Sequence, residues 1–358
     1  MTDVKPNVKA EVSSISQREQ ARGSLLGALI GDSVGSLLEF IGYQPSAQEV
    51  DQALSMPGGG VWRIAPGQVT DDGELTLALG QALAGAKRLP QAEIARNYVR
   101  WYRSKPFDIG NTTASALDRL MPSESGLHGK LLAQAAENNQ ASKANGSLMR
   151  QSVLGIWSSH LSVEQAVVAA QTDSRFTHPN PTCQWAGAAY VVAIRNLVLS
   201  PGKSEEAFEA ARSQLLEHNG DKDRGGRLGD GVQEVLGWMQ DARDGKLPAG
   251  YPQVGFVRIA FTHAFHHLLQ RTPYRDALHD TLSLGGDTDT NACIVGGLLG
   301  ALHGYSGLPA AMVKALLNCD TNKGRPRPLW LQANVALELA DALVKGTNSE
   351  DYSNGDAL

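Results

Sequence analysis

Apolar residues recur three and four positions apart along most of the chain, the spacing of one helix face. The pattern is clearest in ARGSLLGALIGDSVGSLLEF (21–40), DGELTLALGQALAGAKRL (72–89), AEIARNYVRWYRS (92–104), VEQAVVAAQTDS (163–174) and LQANVALELADALVKG (331–346). Ala and Leu dominate these runs, and both are good helix formers. Alternating runs of Val, Ile and Thr are nearly absent, so the spacing predicts a mostly α chain. The stretches 56–70, 200–205, 218–231 and 244–254 are rich in Gly, Pro or charge and are expected to be loops. None divides the chain by composition. A single domain is expected over 18–345, between a polar arm at 1–17 and a tail at 346–358 that carry no periodicity.

Glycine is over-represented, with 38 in 358 residues, about 11 % against ~7 % on average. Gly23, Gly27, Gly31 and Gly35 fall four apart, as do Gly296, Gly300 and Gly304. Each stripe lies along one side of a helix at about 1 kcal/mol per glycine relative to Ala, which close helix–helix approach can offset.

The 32 basic and 37 acidic side chains leave a net charge of −5 with no basic stripe. Nucleic acid and membrane surfaces are therefore not expected partners. Cys183, Cys293 and Cys319 form no CxxC motif, and the N-terminus lacks the apolar stretch of a secretory leader. A cytoplasmic protein is expected.

Two segments crowd carboxylates beside glycine at helix starts: Gly67-Gln68-Val69-Thr70-Asp71-Asp72-Gly73-Glu74 and Gly285-Gly286-Asp287-Thr288-Asp289-Thr290-Asn291. Crowded carboxylates repel, and a divalent cation relieves that repulsion better than a helix terminus does. An all-oxygen set of Asp and Thr suits Mg²⁺ or Mn²⁺. The competing explanation is simple helix capping by Asp and Thr. Two further turns, Ala144-Asn145-Gly146-Ser147-Leu148-Met149-Arg150 and Phe107-Asp108-Ile109-Gly110-Asn111-Thr112-Thr113, offer amides and backbone N–H groups to phosphate or sugar oxygens. His263, His266 and His267 sit at helical spacing, but without a metalloprotease Glu they read as packing and surface residues. Trp101, Tyr102 and Trp157 read as core or groove fillers.

Taken together, GALIGDSVGSLLE (27–39), VTDDGELTLAL (69–79), DIGNTTASAL (108–117), ANGSLMR (144–150), THPNP (177–181) and GGDTDTNACIVGGLLGALHG (285–304) resemble the ADP-ribosylglycohydrolase family. The resemblance runs from about residue 22 to about residue 340 and implies an all-α, orthogonally packed helical fold with a binuclear Mg²⁺ or Mn²⁺ centre. By matching position it implies metal ligands at Thr70, Asp71, Asp72, Asp287, Asp289 and Thr290. Glu39 would lie beside metals and substrate, and Asp32 would support the site. Asp289, Asp287 and Glu39 are the alternatives for activating water. Asn145, Gly146, Ser147 and Met149 would line the ADP-ribose site, with Gly110 and Asn111 near the phosphates and His178 near the adenosine end. Many members read TDDT where this chain has Gly73 in the fourth place.

The activity so implied is metal-dependent removal of ADP-ribose from modified protein side chains, with arginine as the acceptor, by a monomer. The alternative is an immunity protein that blocks an ADP-ribosyltransferase toxin through its N-terminal arm.

Overall fold

A computed structural model describes residues 8–218 and 227–345. Among the described residues there are sixteen α-helices and no β-strand, as the spacing predicts. The first six are α1 (Val8–Gly35), α2 (Ala47–Leu54), α3 (Asp71–Leu83), α4 (Gln91–Arg103), α5 (Asn111–Leu117) and α6 (Leu127–Asn138). Next come α7 (Ser152–Trp157), α8 (Val163–Arg175), α9 (Pro181–Leu199), α10 (Ser204–Glu217), α11 (Arg227–Asp244) and α12 (Val257–Gln270). The chain closes with α13 (Tyr274–Leu282), α14 (Thr288–His303), α15 (Ala310–Leu317) and α16 (Ala336–Val344).

The centre of the protein is the pairing of α1 with α14, the most extensive contact between any two elements. Both glycine stripes meet there. A Cβ on Gly27 would fall 2.3 Å from the Gly296 carbonyl oxygen, and one on Gly23 would fall 2.3 Å from that of Gly300. Gly31 meets Ala292 and Gly35 meets Asp289 in the same way, so the helices run antiparallel with backbones touching. Hydroxyl groups tie the seam: Ser24 donates to Gly297 O (2.9 Å), Tyr274 to Gly27 O (2.7 Å) and Thr288 to Gly35 O (2.6 Å). Around this pair pack α3, α7, α9, α12, α13 and α16, and α9 and α14 are buried along almost their whole length.

Several boundaries differ from the sequence expectation, among them the end of α3 at Leu83 inside the 72–89 pattern and the start of α16 at Ala336 inside the 331–346 pattern. Helix α1 begins at Val8, so residues 8–17 of the expected arm are helical, while 1–7 and 346–358 lie outside the described residues. The same helix ends at Gly35, where the carbonyl turns to serve Leu38 N and the Thr288 hydroxyl. Glu39 therefore sits in a turn beyond α1, not on its last turn. The expected loop at 218–231 ends early, because α11 opens at Arg227; residues 219–226 are not described.

His263, His266 and His267 hydrogen-bond to Pro248 O, Ala242 O and Thr272 Oγ1. Trp101 and Trp157 are core residues. Among the described residues no helix is long and apolar enough to cross a membrane.

The helix seam generates a direct test. Gly31→Ala, whose Cβ would lie 2.0 Å from Ala292 O, should destabilise the protein by about 3 kcal/mol in denaturant unfolding. Gly237→Ala on α11, where a Cβ meets nothing, should be neutral or stabilising by up to about 1 kcal/mol. Equal stability of the two variants would contradict the close contact.

Candidate functional site

The seam delivers two helix ends to one place. Gly285 and Gly286, both in the left-handed region at φ 67° and 80°, turn the chain sharply into α14. Asp287 lies before the helix and Asp289 in its first turn, so the two carboxylates face one cavity instead of diverging. The α3 N-terminus is brought alongside by Asp32 of α1. Its Oδ2 accepts from Thr70 N (2.9 Å) and Gly73 N (2.8 Å), and its Oδ1 from the Thr70 hydroxyl (2.8 Å). Gly73 gives this arrangement room: a Cβ there would fall 2.6 Å from Asp32 Oδ2, so a larger residue needs that side chain to shift. From below, Arg327 and Trp101 clamp Glu74 in the core: Arg327 Nε donates to Oε1 at 2.6 Å and Trp101 Nε1 to Oε2 at 2.7 Å.

Neither acidic segment acts as a helix cap through its N-cap side chain. Thr70 and Asp287 occupy the N-cap positions of α3 and α14, and neither makes a side-chain cap bond. The Thr70 and Thr290 hydroxyls both approach Asp72 Oδ2, at 3.3 and 3.5 Å. Carboxylate oxygens of Asp32, Asp72 and Asp289 lie within 4.8 Å of one another, and so do those of Glu39, Asp108 and Asp289. Asp289 is common to both groups. Asp71 accepts from Gly110 N at 3.4 Å, and Asp287 accepts from the Asn145 side-chain amide at 2.7 Å.

Seven carboxylates thus converge without a neutralising base. The two most buried ion pairs of the described residues, Arg150–Asp173 and Arg327–Glu74, involve none of them. Burial pushes Asp32 and Glu39 up to about 7, against hydrogen bonds from Thr70 and Trp62 respectively. Burial and the charge on Glu39 push Asp108 up to about 8. Asp71, Asp72 and Asp289 are driven well above the usual carboxylate range, first by burial and then by their neighbours' charges.

The donor set fits hard divalent cations. All candidate atoms are carboxylate or hydroxyl oxygens. Asp72 Oδ1 and Asp108 Oδ2 are buried and lack any hydrogen-bond partner, which leaves both free for a cation. Buried oxygens without partners are costly unless something else satisfies them.

The cavity above the carboxylates holds about 530 Å³. Glu39, Asp71, Asp287, Asp289, Thr290, Gly110, Asn111, Asn145, Gly146, Met149 and His178 all line it. Thr70 and Asp72 are buried behind that surface. Ser147 is fully buried, does not line the cavity, and its Oγ has no partner. Asn145 faces the cavity but its amide is committed to Asp287. Reasoning from sequence missed Asp108, Trp62 and Phe40. Asp108 had a signal, a carboxylate two residues before Gly110. Trp62 had none: it reaches the site from the loop before α3, donating to Glu39 Oε2 at 2.7 Å and packing on Phe107. Phe40 and Val61 stand 58 % exposed at the mouth.

The raised carboxyls have a consequence for stability. Groups whose folded values exceed those of the unfolded chain favour folding while protonated, and that contribution fades as pH rises through their folded values. In EDTA, the melting temperature should fall from about pH 4.5 to about pH 8, the range in which Glu39, Asp32 and Asp108 hold protons in the folded protein that the unfolded chain has lost. Excess Mg²⁺ or Mn²⁺ should raise it, and by more at the higher pH, because binding displaces protons. A metal-induced gain that is absent or larger at low pH would contradict the cation site.

The chain is similar to known proteins over most of its length. The family profile described as ADP-ribosylglycohydrolase matches residues 13–352. The ADP-ribosyl-[dinitrogen reductase] glycohydrolase of Rhodospirillum rubrum is 26 % identical over 84 % of this chain and 91 % of its own. The ADP-ribosylarginine hydrolase Tri1 of Serratia proteamaculans is 27 % identical over 88 % and 80 %. A solved structure titled ADP-ribosylglycohydrolase-related protein complex superposes with a TM-score of 0.67 at 23 % identity, covering 93 % of this chain and 99 % of that one, which shows the shared fold. With a profile match spanning nearly its whole length, the chain belongs to the ADP-ribosylglycohydrolase family.

Proposed function

We propose that this chain is a divalent-cation-dependent hydrolase that releases ADP-ribose from modified protein side chains, with ADP-ribosylarginine as its substrate. The observation that carries the reading is the convergence of seven unneutralised carboxylates at one end of a cavity whose other wall is built of glycine and amide turns. Arginine as acceptor is supported by the name of the Serratia relative and by Glu39 and Asp108, whose carboxylates suit a guanidinium.

Thr70, Asp71, Asp72, Asp287, Asp289 and Thr290 are the residues that would hold two Mg²⁺ or Mn²⁺ ions. When bound, the ions supply Lewis acidity toward the ribose hydroxyls and a water. Asp289, shared by both carboxylate groups, takes a proton from the attacking water. A C–O bond forms at the anomeric carbon while the C–N bond breaks, its electron pair leaving with the guanidine nitrogen, which gains a proton. Positive charge developing on the ribose ring is met by Asp287 and Glu39. Trp62 holds Glu39 in place from the loop side. The diphosphate is received by backbone N–H groups of the Gly110–Asn111 and Gly146 turns, so no basic cluster is required.

ADP-ribose release from an arginine-modified protein should occur with Mg²⁺ or Mn²⁺ and stop in EDTA. Asp289→Asn should lower kcat by about 10²–10⁴ with little change in KM. No release from any ADP-ribosylated substrate would overturn the enzyme reading. Release from serine-modified but not arginine-modified protein would overturn the acceptor assignment alone.

A further inference from the structure

Beneath the amide wall, away from the carboxylates, lies a buried polar network that the chemistry above does not use. Arg150 is fully buried and paired with the equally buried Asp173, Nε to Oδ2 at 3.1 Å, with its guanidinium stacked 4.5 Å from the Tyr98 ring centre. Tyr98 and Gln151 complete the Asp173 carboxylate, donating at 2.5 and 3.0 Å. Nη2 donates to the Asp173 backbone carbonyl at 2.9 Å, which leaves Nη1 to face the cavity wall. Nη1 donates to the Thr177 hydroxyl at 2.9 Å and approaches Gly146 O at 3.4 Å, so one cation ties together two segments of the wall.

Thr177 Oγ1 in turn lies 2.8 Å from Nδ1 of His178. A guanidinium only donates, so the Thr177 oxygen accepts from Arg150 and its single hydroxyl hydrogen remains to be placed. Thr177 is fully buried, and among the described residues His178 Nδ1 is the one acceptor within its reach. Were Nδ1 to carry the proton, the hydroxyl hydrogen would be buried without a partner. Nδ1 therefore accepts, and the ring proton sits on Nε2. That nitrogen has no protein partner among the described residues and faces the cavity, where Gly146 leaves the ring edge uncovered; a Cβ at Gly146 would stand 3.1 Å from it. Burial, together with the positive charge of Arg150, lowers the imidazole to about 3, so the ring stays neutral.

We propose that Arg150 is a positioning residue which, through the Thr177 hydroxyl, locks His178 in its neutral Nε2–H form, so that the cavity presents one fixed hydrogen-bond donor to an acceptor atom of the bound nucleotide. The lock is a property of the protein alone; only the identity of the bound group rests on the ADP-ribose reading. A neutral donor distinguishes an acceptor oxygen or nitrogen from an N–H or O–H group, which it rejects, and it does so at every pH at which the protein works.

The test uses the full chain labelled with ¹⁵N-histidine. In the wild type, long-range ¹H–¹⁵N spectra should show His178 with an unprotonated Nδ1 and a protonated Nε2, unchanged from about pH 6 to about pH 8. Thr177→Val removes the hydroxyl at nearly constant volume and avoids leaving Asp173 unpaired, as a change at Arg150 would. This variant should mix the two tautomers and weaken ADP-ribose binding about tenfold, while Thr177→Ser restores both. A wild-type Nδ1–H tautomer, or a Thr177→Val protein with unaltered tautomer and affinity, would overturn the proposal. Failure of the wild type to bind ADP-ribose would strike the functional reading instead, and the spectra would still decide the lock.

Discussion

Backbone contact between α1 and α14 is the constraint on which the site depends. Helices normally stand apart by the depth of their side chains. Here alternating glycines remove that depth, and Gly35 rests against Asp289 itself. The acidic start of α14 is thereby set beside Asp32, and Asp32 in turn grips the backbone of Thr70 and Gly73 at the start of α3. Three elements distant in sequence are held by a chain of contacts in which no long, adjustable side chain intervenes. The glycine penalty is spread over the seam, and its return is a rigid mount for charge.

What is mounted is electrostatically unfavourable on its own. Seven carboxylates cluster in and just behind one wall of the cavity with no ion-pair partner among the described residues, and burial raises the affinity of most of them for protons. Such a cluster is stable only if something positive, a proton or a metal ion, enters it. Charge of the opposite sign is kept elsewhere: Arg150 and Arg327 are spent on Asp173 and Glu74, each behind a different wall. The separation gives the cavity an acidic end and a neutral, hydrogen-bonding end, a division that suits a substrate with a cleavable glycosidic bond at one end and a nucleotide at the other.

Much of this was legible in the chain. The four-residue glycine spacing predicts the seam, and Asp71, Asp72, Asp287 and Asp289 stand out as carboxylates crowded beside glycine at helix starts. Glu39 was legible as a residue but not in its setting, since nothing in 21–40 signals that α1 stops at Gly35. Trp62 and the Arg150–Thr177–His178 relay were not legible. Their partners are 23 and 27 residues away in sequence, and periodicity carries no information about such contacts. Ser147, adjacent to Gly146 in the same motif, is fully buried and lies off the cavity.

The central claim is that the meeting point of α1, α3 and α14 is a divalent-cation site. Anomalous diffraction from crystals grown with Mn²⁺ tests it most directly. The account predicts two peaks, both in the carboxylate cluster, with Asp72 Oδ1 and an oxygen of Asp289 within about 2.3 Å of an ion. Full-occupancy Mn²⁺ elsewhere on the protein, with none between Asp72 and Asp289, would contradict it.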